Sequence, residues 1–156
     1  MRFKPIPEAP AALDRIGTIR RAVPQAREPA VDCCKQVVAE ADWIRDRDDA
    51  ADWLVFLRAL GLVEEIDGAY VRTDEELERA ALADRFLDRV ADAEAVIGVL
   101  EESPRSIGRV RDAVTRSSGS RSPSGRGITR ERVRRVLGWA VVFDLAVRSD
   151  DGYRRR

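Results

Sequence analysis

The chain has no histidine in 156 residues. That removes the imidazole general base and any His-ligated metal. Cysteine is nearly as scarce: Cys33 and Cys34 are the only two, and they are adjacent in AVDCCKQVVAEA. Neighbours close no useful loop, so a disulfide framework is excluded. Two thiols also fall short of a closed zinc site unless subunits share ligands; one is expected in the core and one facing outward. No run of about 18 apolar residues is present to span a membrane. The opening MRFKPIPEAPAALDRIG carries proline where a signal peptide has its apolar stretch, so the expected localisation is cytoplasmic. The stretch SGSRSPSGRG has glycines but neither the preceding strand nor the GK[ST] of a phosphate loop. DRDDAAD lacks the glycine and closing glutamate of a calcium loop and reads as a helix N-terminus. These absences leave no catalytic residue, metal or cofactor to assign, and the chain is expected to be non-enzymatic.

Charge is present in abundance but unevenly placed. The 28 basic and 28 acidic residues cancel, yet residues 1–100 carry 14 Lys+Arg against 21 Asp+Glu, and residues 101–156 carry 14 against 7. An acidic half with a net charge of −7 is therefore followed by a basic half of +7. Only Lys4 and Lys35 among the cations are lysine, a bias that GC-rich coding produces without selection for function.

Apolar spacing then gives the elements. Residues 1–9 read as an extended, proline-punctuated arm. Leu13, Ile16, Ile19, Ala22 and Val23 recur at helical spacing up to Pro24. A second short helix is expected over 31–41, with Val31, Cys34, Val37 and Val38 inward. A third runs from about Asp48 to Leu60, with acids at its start, Ala50, Trp53, Leu54, Leu57 and Leu60 inward, and Gly61 as the left-handed stop. LVEEI and AYVRT then flank Asp67-Gly68, the signature of a type I′ hairpin. TDEE should restart a helix with Thr73 and Glu76 as a capping box, and helical spacing continues to residue 100 with a break near Ala91. Ser106 caps a further helix with Ile107, Val110 and Val114 inward. The Ser/Gly/Arg stretch 116–127 is a loop. Thr129 caps the last long helix, whose inner stripe is Val133, Val136, Leu137, Ala140 and Asp144.

The C-terminal FDLAVRSDDGYRRR repeats the order helix end, strand, turn, strand of residues 60–73. Laid over the first copy, Trp139 falls on Phe56, Leu145 on Leu62, Gly152 on Gly68 and Tyr153 on Tyr70, at an offset of 83 with one residue added before the turn and one lost after it. Three helices followed by a hairpin resemble the winged helix-turn-helix superfamily, and the chain reads as a tandem of two such domains. The fold class expected is mainly α with short β-hairpin wings. The expected divisions are an arm at 1–9, an acidic winged helix at 10–73, a linking helix at 74–83 and a basic winged helix at 84–156. The same architecture, with its proline-rich arm, is similar to small haloarchaeal proteins, a resemblance that carries over no activity.

That resemblance implies a place to look for DNA: the outward face of each third helix, which such domains insert into the major groove, and the wing beside it. In the first copy this face is expected to show Asp48, Asp52, Val55 and Ala59, flanked by Asp49, and carboxylates repel phosphate. In the second it becomes Glu131, Arg135, Gly138 and Val142, flanked by Arg130, Arg132 and Arg134. The adjoining loop adds Arg121 and Arg126, and the wing ends in Arg154, Arg155 and Arg156. The candidate nucleic-acid-binding residues are thus Arg126, Arg130, Arg132, Arg134, Arg135, Arg154, Arg155 and Arg156. The expected function is that of a DNA-binding, transcription-regulator-like protein whose basic copy contacts double-stranded DNA. The alternative is a protein–protein interaction module, with the two opposite charges pairing domains within a chain or between copies in a homo-oligomer.

Overall fold

A computed structural model describes residues 2–26, 32–117 and 128–156; Val31, Arg121 and Arg126 lie outside the described residues. The first copy is α1 (Asp14–Arg21), α2 (Cys33–Glu40), α3 (Arg47–Ala59) and a hairpin of β1 (Val63–Ile66) and β2 (Ala69–Arg72). One connecting helix follows, α4 (Arg79–Arg89), and then the second copy: the short α5 (Ala93–Gly98), α6 (Ile107–Ser117), α7 (Arg130–Val142), and a second hairpin of β3 (Ala146–Ser149) and β4 (Gly152–Arg155). Both hairpins are antiparallel and two-stranded. Among the described residues, no helix is long and apolar enough to cross a membrane.

The two copies agree in local chemistry as well as order. Asp46 and Thr129 each accept a hydrogen bond from the backbone three residues on, capping α3 and α7. Each helix ends in a left-handed residue, Gly61 (φ 77°) and Asp144 (φ 60°), and the next backbone N–H turns back into the last turn, Leu62 to Leu57 O at 3.0 Å and Leu145 to Ala140 O at 2.8 Å. Ser106 caps α6 through the Arg109 N–H. The break expected near Ala91 is real: Asp92 has φ 70°.

Several sequence expectations differ from the structure, and three concern local conformation and boundaries. Residues 73–78 form no helix, because the Thr73 hydroxyl donates to the Gly61 carbonyl at 2.7 Å instead of capping. A division between residues 83 and 84 would fall inside α4. The third concerns the wings. Their registers, Val63 opposite Arg72 and Ala146 opposite Arg155, keep one offset of 83 from α3 through β2 with nothing inserted. Gly152 therefore stands at the position of Ala69, opposite Ser149. The first turn holds both Asp67 (φ 50°) and Gly68 (φ 83°) left-handed, as a type I′ turn requires, while neither Asp150 nor Asp151 has a positive φ. Glycine is needed at 152 for two other reasons. Its φ is 129°, and a Cβ there would run into the carbonyl of Arg105, whose backbone pairs with Tyr153 through two 2.8 Å hydrogen bonds.

One continuous core joins the copies. Trp53, Leu54, Phe56 and Leu57 are buried, as are Val136, Leu137, Trp139 and Phe143, in line with the sequence reading. Ala59 is buried too, although it was expected to face outward. The reason is that α3 and α7 pack on two sides: each covers its own small domain and also meets the other copy. Phe56 and Trp139, equivalent at the offset of 83, lie with ring centroids 4.4 Å apart. Trp53 adds an edge contact to Trp139 at 5.4 Å. Helix α4 closes the pair from the side. Arg89 reaches the Ala59 carbonyl at 3.4 Å and Arg79 reaches the Val142 carbonyl at 3.1 Å. These are the last carbonyls of α3 and α7, where cations suit the negative end of the helix dipole.

Candidate nucleic-acid interface

The N-terminal arm decides what α7 can present. Phe3 pairs in parallel with Val90, and the Ala91 N–H donates to the Phe3 carbonyl at 2.8 Å. From there the arm runs along α7. The Trp139 indole N–H donates to the Pro7 carbonyl at 2.8 Å, a buried bond, and Gly138 leaves only enough room for Ala9, since a Cβ there would stand 3.2 Å from the Ala9 methyl. Ile6 and Pro7 are buried against this face.

Three of the expected phosphate-binding arginines serve that contact. Arg132 donates to the Asp92 carboxylate and to the carbonyls of Lys4 and Ala91, all at 2.7 Å. Arg135 donates to the Ile6 carbonyl at 2.9 Å and to Glu131 at 3.0 Å. Arg134 holds Glu131 at 2.5 Å and Glu8 at 3.1 Å. The hydrogen bonds from Arg134 and then Arg135 pull the Glu131 pKa down to about 2, and the same carboxylate pushes Arg134 further up. Asp52 occupies the position equivalent to Arg135. Burial and the Asp49 carboxylate raise its pKa, against the pull of the Arg135 charge across the pseudo-two-fold. Both third helices thus have their middles turned into the molecule.

The remaining candidates lie elsewhere. Arg130 is exposed at the first turn of α7, its guanidinium beside Gly108 of α6. Arg155 is exposed, and its backbone N–H donates to the Glu101 carbonyl at 2.8 Å. The Arg154 guanidinium donates to the Arg155 carbonyl at 3.3 Å. Arg156 pairs with Asp144 at 3.0 Å. Two residues that the sequence reading passed over join this group. Arg109 and Arg116 are exposed on α6, one helical stripe with Ala113 between them, and Ala113 lines the same hollow as Arg155. Their spacing of seven on a helix capped by Ser106 was the available signal. Among the described residues, Arg109, Arg116, Arg130 and Arg155 form no ion pair. Glu102 and Asp112 are exposed acids near them, as is Glu101, which pairs with Arg105 at 2.6 Å.

No curated protein and no solved structure matches the chain. A family description does: the halobacterial double winged helix domain matches residues 1–156. Two helical units, each followed by a two-stranded wing, agree with the double winged helix that this description names, and the chain belongs to the halobacterial double winged helix family.

Proposed function

We propose that this is a non-enzymatic, transcription-regulator-like protein whose second copy grips duplex DNA by its phosphates, without inserting α7 into the major groove. The contact runs along the edge made by α6, the first turn of α7 and the second wing: Arg109, Arg116, Arg130, Arg154 and Arg155. The observation that carries the reading is the contrast in pairing. Arg132, Arg134 and Arg135 are satisfied inside the molecule, whereas among the described residues the cations of this edge have no carboxylate partner. Glu101 is offset by Arg105, and five arginines against Glu102 and Asp112 leave the edge positive. The turn, Asp150-Asp151, is acidic, so contact falls on the strand arginines and not on the wing tip. Binding of this kind is weakly sequence-selective and steep in salt. In this reading residues 1–9 are a strap, 10–73 the first copy, and the connection extends to the end of α4.

The test is titration of a labelled duplex with the full chain at several salt concentrations. Five phosphate contacts give a log–log salt slope of at most about −4.5. Replacing Arg109 and Arg116 by Gln should flatten it by about two units. A second reading, an interaction module, is favoured by Ile66, a large apolar side chain 42% exposed on the first wing. If the full chain shifts no duplex at about 50 mM salt, where phosphate contacts are strongest, the DNA reading falls and this one replaces it.

A further inference from the structure

A groove of about 490 Å³ lies between the arm, α4, α7 and the second wing, within the size range of small-molecule sites. Four guanidiniums line it, from three separate stretches: Arg79, Arg134, Arg135 and Arg148. Only two carboxylates do, Glu8 and Asp144, so the lining carries an excess of positive charge. The arginines are not equally occupied. Arg134 and Arg135 are held by Glu131, Glu8 and the arm. Arg79 uses its Nε and one terminal nitrogen on the Val142 carbonyl and Asp144, at 3.1 and 3.2 Å, which leaves the other terminal nitrogen to donate. Arg148 is exposed and stands over the Tyr153 ring, 6.0 Å from its centroid. Among the described residues it has no ion pair and no hydrogen bond to share its five donors with. A guanidinium fork suits carboxylate and phosphate oxygens. The wall beside it is Gly138, with Ala9 of the arm packed over it, Val141 and Val142.

We propose that this groove binds a small organic anion: Arg148 and Arg79 hold the charged head, and the Gly138–Val142 wall takes an apolar body. The site adjoins the DNA-contacting edge at the second wing but uses none of the five arginines named there. It would place a ligand against the strap and the end of α7 at once, joining two segments 130 residues apart in sequence.

Calorimetry on the full chain at fixed salt, with phenyl phosphate, inorganic phosphate and benzyl alcohol as probes, tests it. Phenyl phosphate should bind best, inorganic phosphate more weakly, and benzyl alcohol without measurable heat. Arg148→Ala should weaken phenyl phosphate by about tenfold, the worth of a charge-assisted hydrogen bond, and Arg79→Gln should weaken it as well. Lys35→Ala, on α2 of the first copy and exposed, should leave it unchanged. Equal affinity in wild type and Arg148→Ala, or no binding of phenyl phosphate at all, overturns the proposal. Equal binding of phenyl phosphate and inorganic phosphate would remove the apolar subsite and overturn it as stated.

Discussion

The rings of Phe56 and Trp139 meet with centroids 4.4 Å apart, and these two residues hold the same place in the two copies. Equivalent positions touching each other is the mark of an isologous, two-fold interface. Here both sides of that contact belong to one chain. Position 52 and position 135 oppose each other across the same axis, an acid in one copy and arginine in the other, which makes the pair asymmetric in charge while alike in fold.

This contact makes the stability of the copies inseparable. Trp139→Ala should cost about 3–5 kcal/mol, the usual range for emptying a buried tryptophan site. Trp139→Phe keeps a ring but loses the bond to the Pro7 carbonyl and should cost about 1–3 kcal/mol. Denaturant unfolding followed by far-UV circular dichroism measures both. The wild type should unfold in one transition; two separated transitions would contradict a shared core.

Gly152→Ala should be more damaging than Gly68→Ala, although both glycines have positive φ. At Gly68 a Cβ meets nothing, so the cost is that of the left-handed backbone, about 1 kcal/mol. At Gly152 the Cβ also strikes the Arg105 carbonyl and must break the pairing of that segment with β4. Midpoints of thermal unfolding for the two variants give the order.

These glycines show what the sequence made legible. Asp67-Gly68 was readable because a turn's φ requirement is local, and so was the N-cap Thr129 with the cores of α3 and α7. The role of Gly152 was not, because it is set by Arg105, 47 residues away. The same holds for the site. Periodicity finds one buried face of a helix, the one that packs on its own domain. It gave Arg132, Arg134 and Arg135 as an open basic face because nothing local reveals that an arm 130 residues earlier lies over them.

The Glu131 carboxylate supplies a pH dependence. Its folded pKa is depressed to about 2 from 4.5, chiefly by the Arg134 hydrogen bond. Its contribution to stability is therefore complete above pH 4.5 and is lost as the pH falls toward 2. The carboxylate is largely exposed, so the effect is small, in the range of about 0–1 kcal/mol for a surface pair. Glu131→Gln should lower the unfolding midpoint at neutral pH, and the gap to wild type should close in acid. A gap that stays constant across the acid range would contradict the assignment.

The central claim is that α7 stays inside the molecule while the α6 edge meets DNA. Hydrogen–deuterium exchange of the full chain, with and without duplex, measures it most directly. The account predicts that duplex slows exchange over Ile107–Ser117, Arg130 and Gly152–Arg155, with the arm and the middle of α7 unchanged. Loss of protection at Phe3 and Ala91, together with new protection across Val133–Ala140, would show the strap released and α7 engaged, and would contradict it.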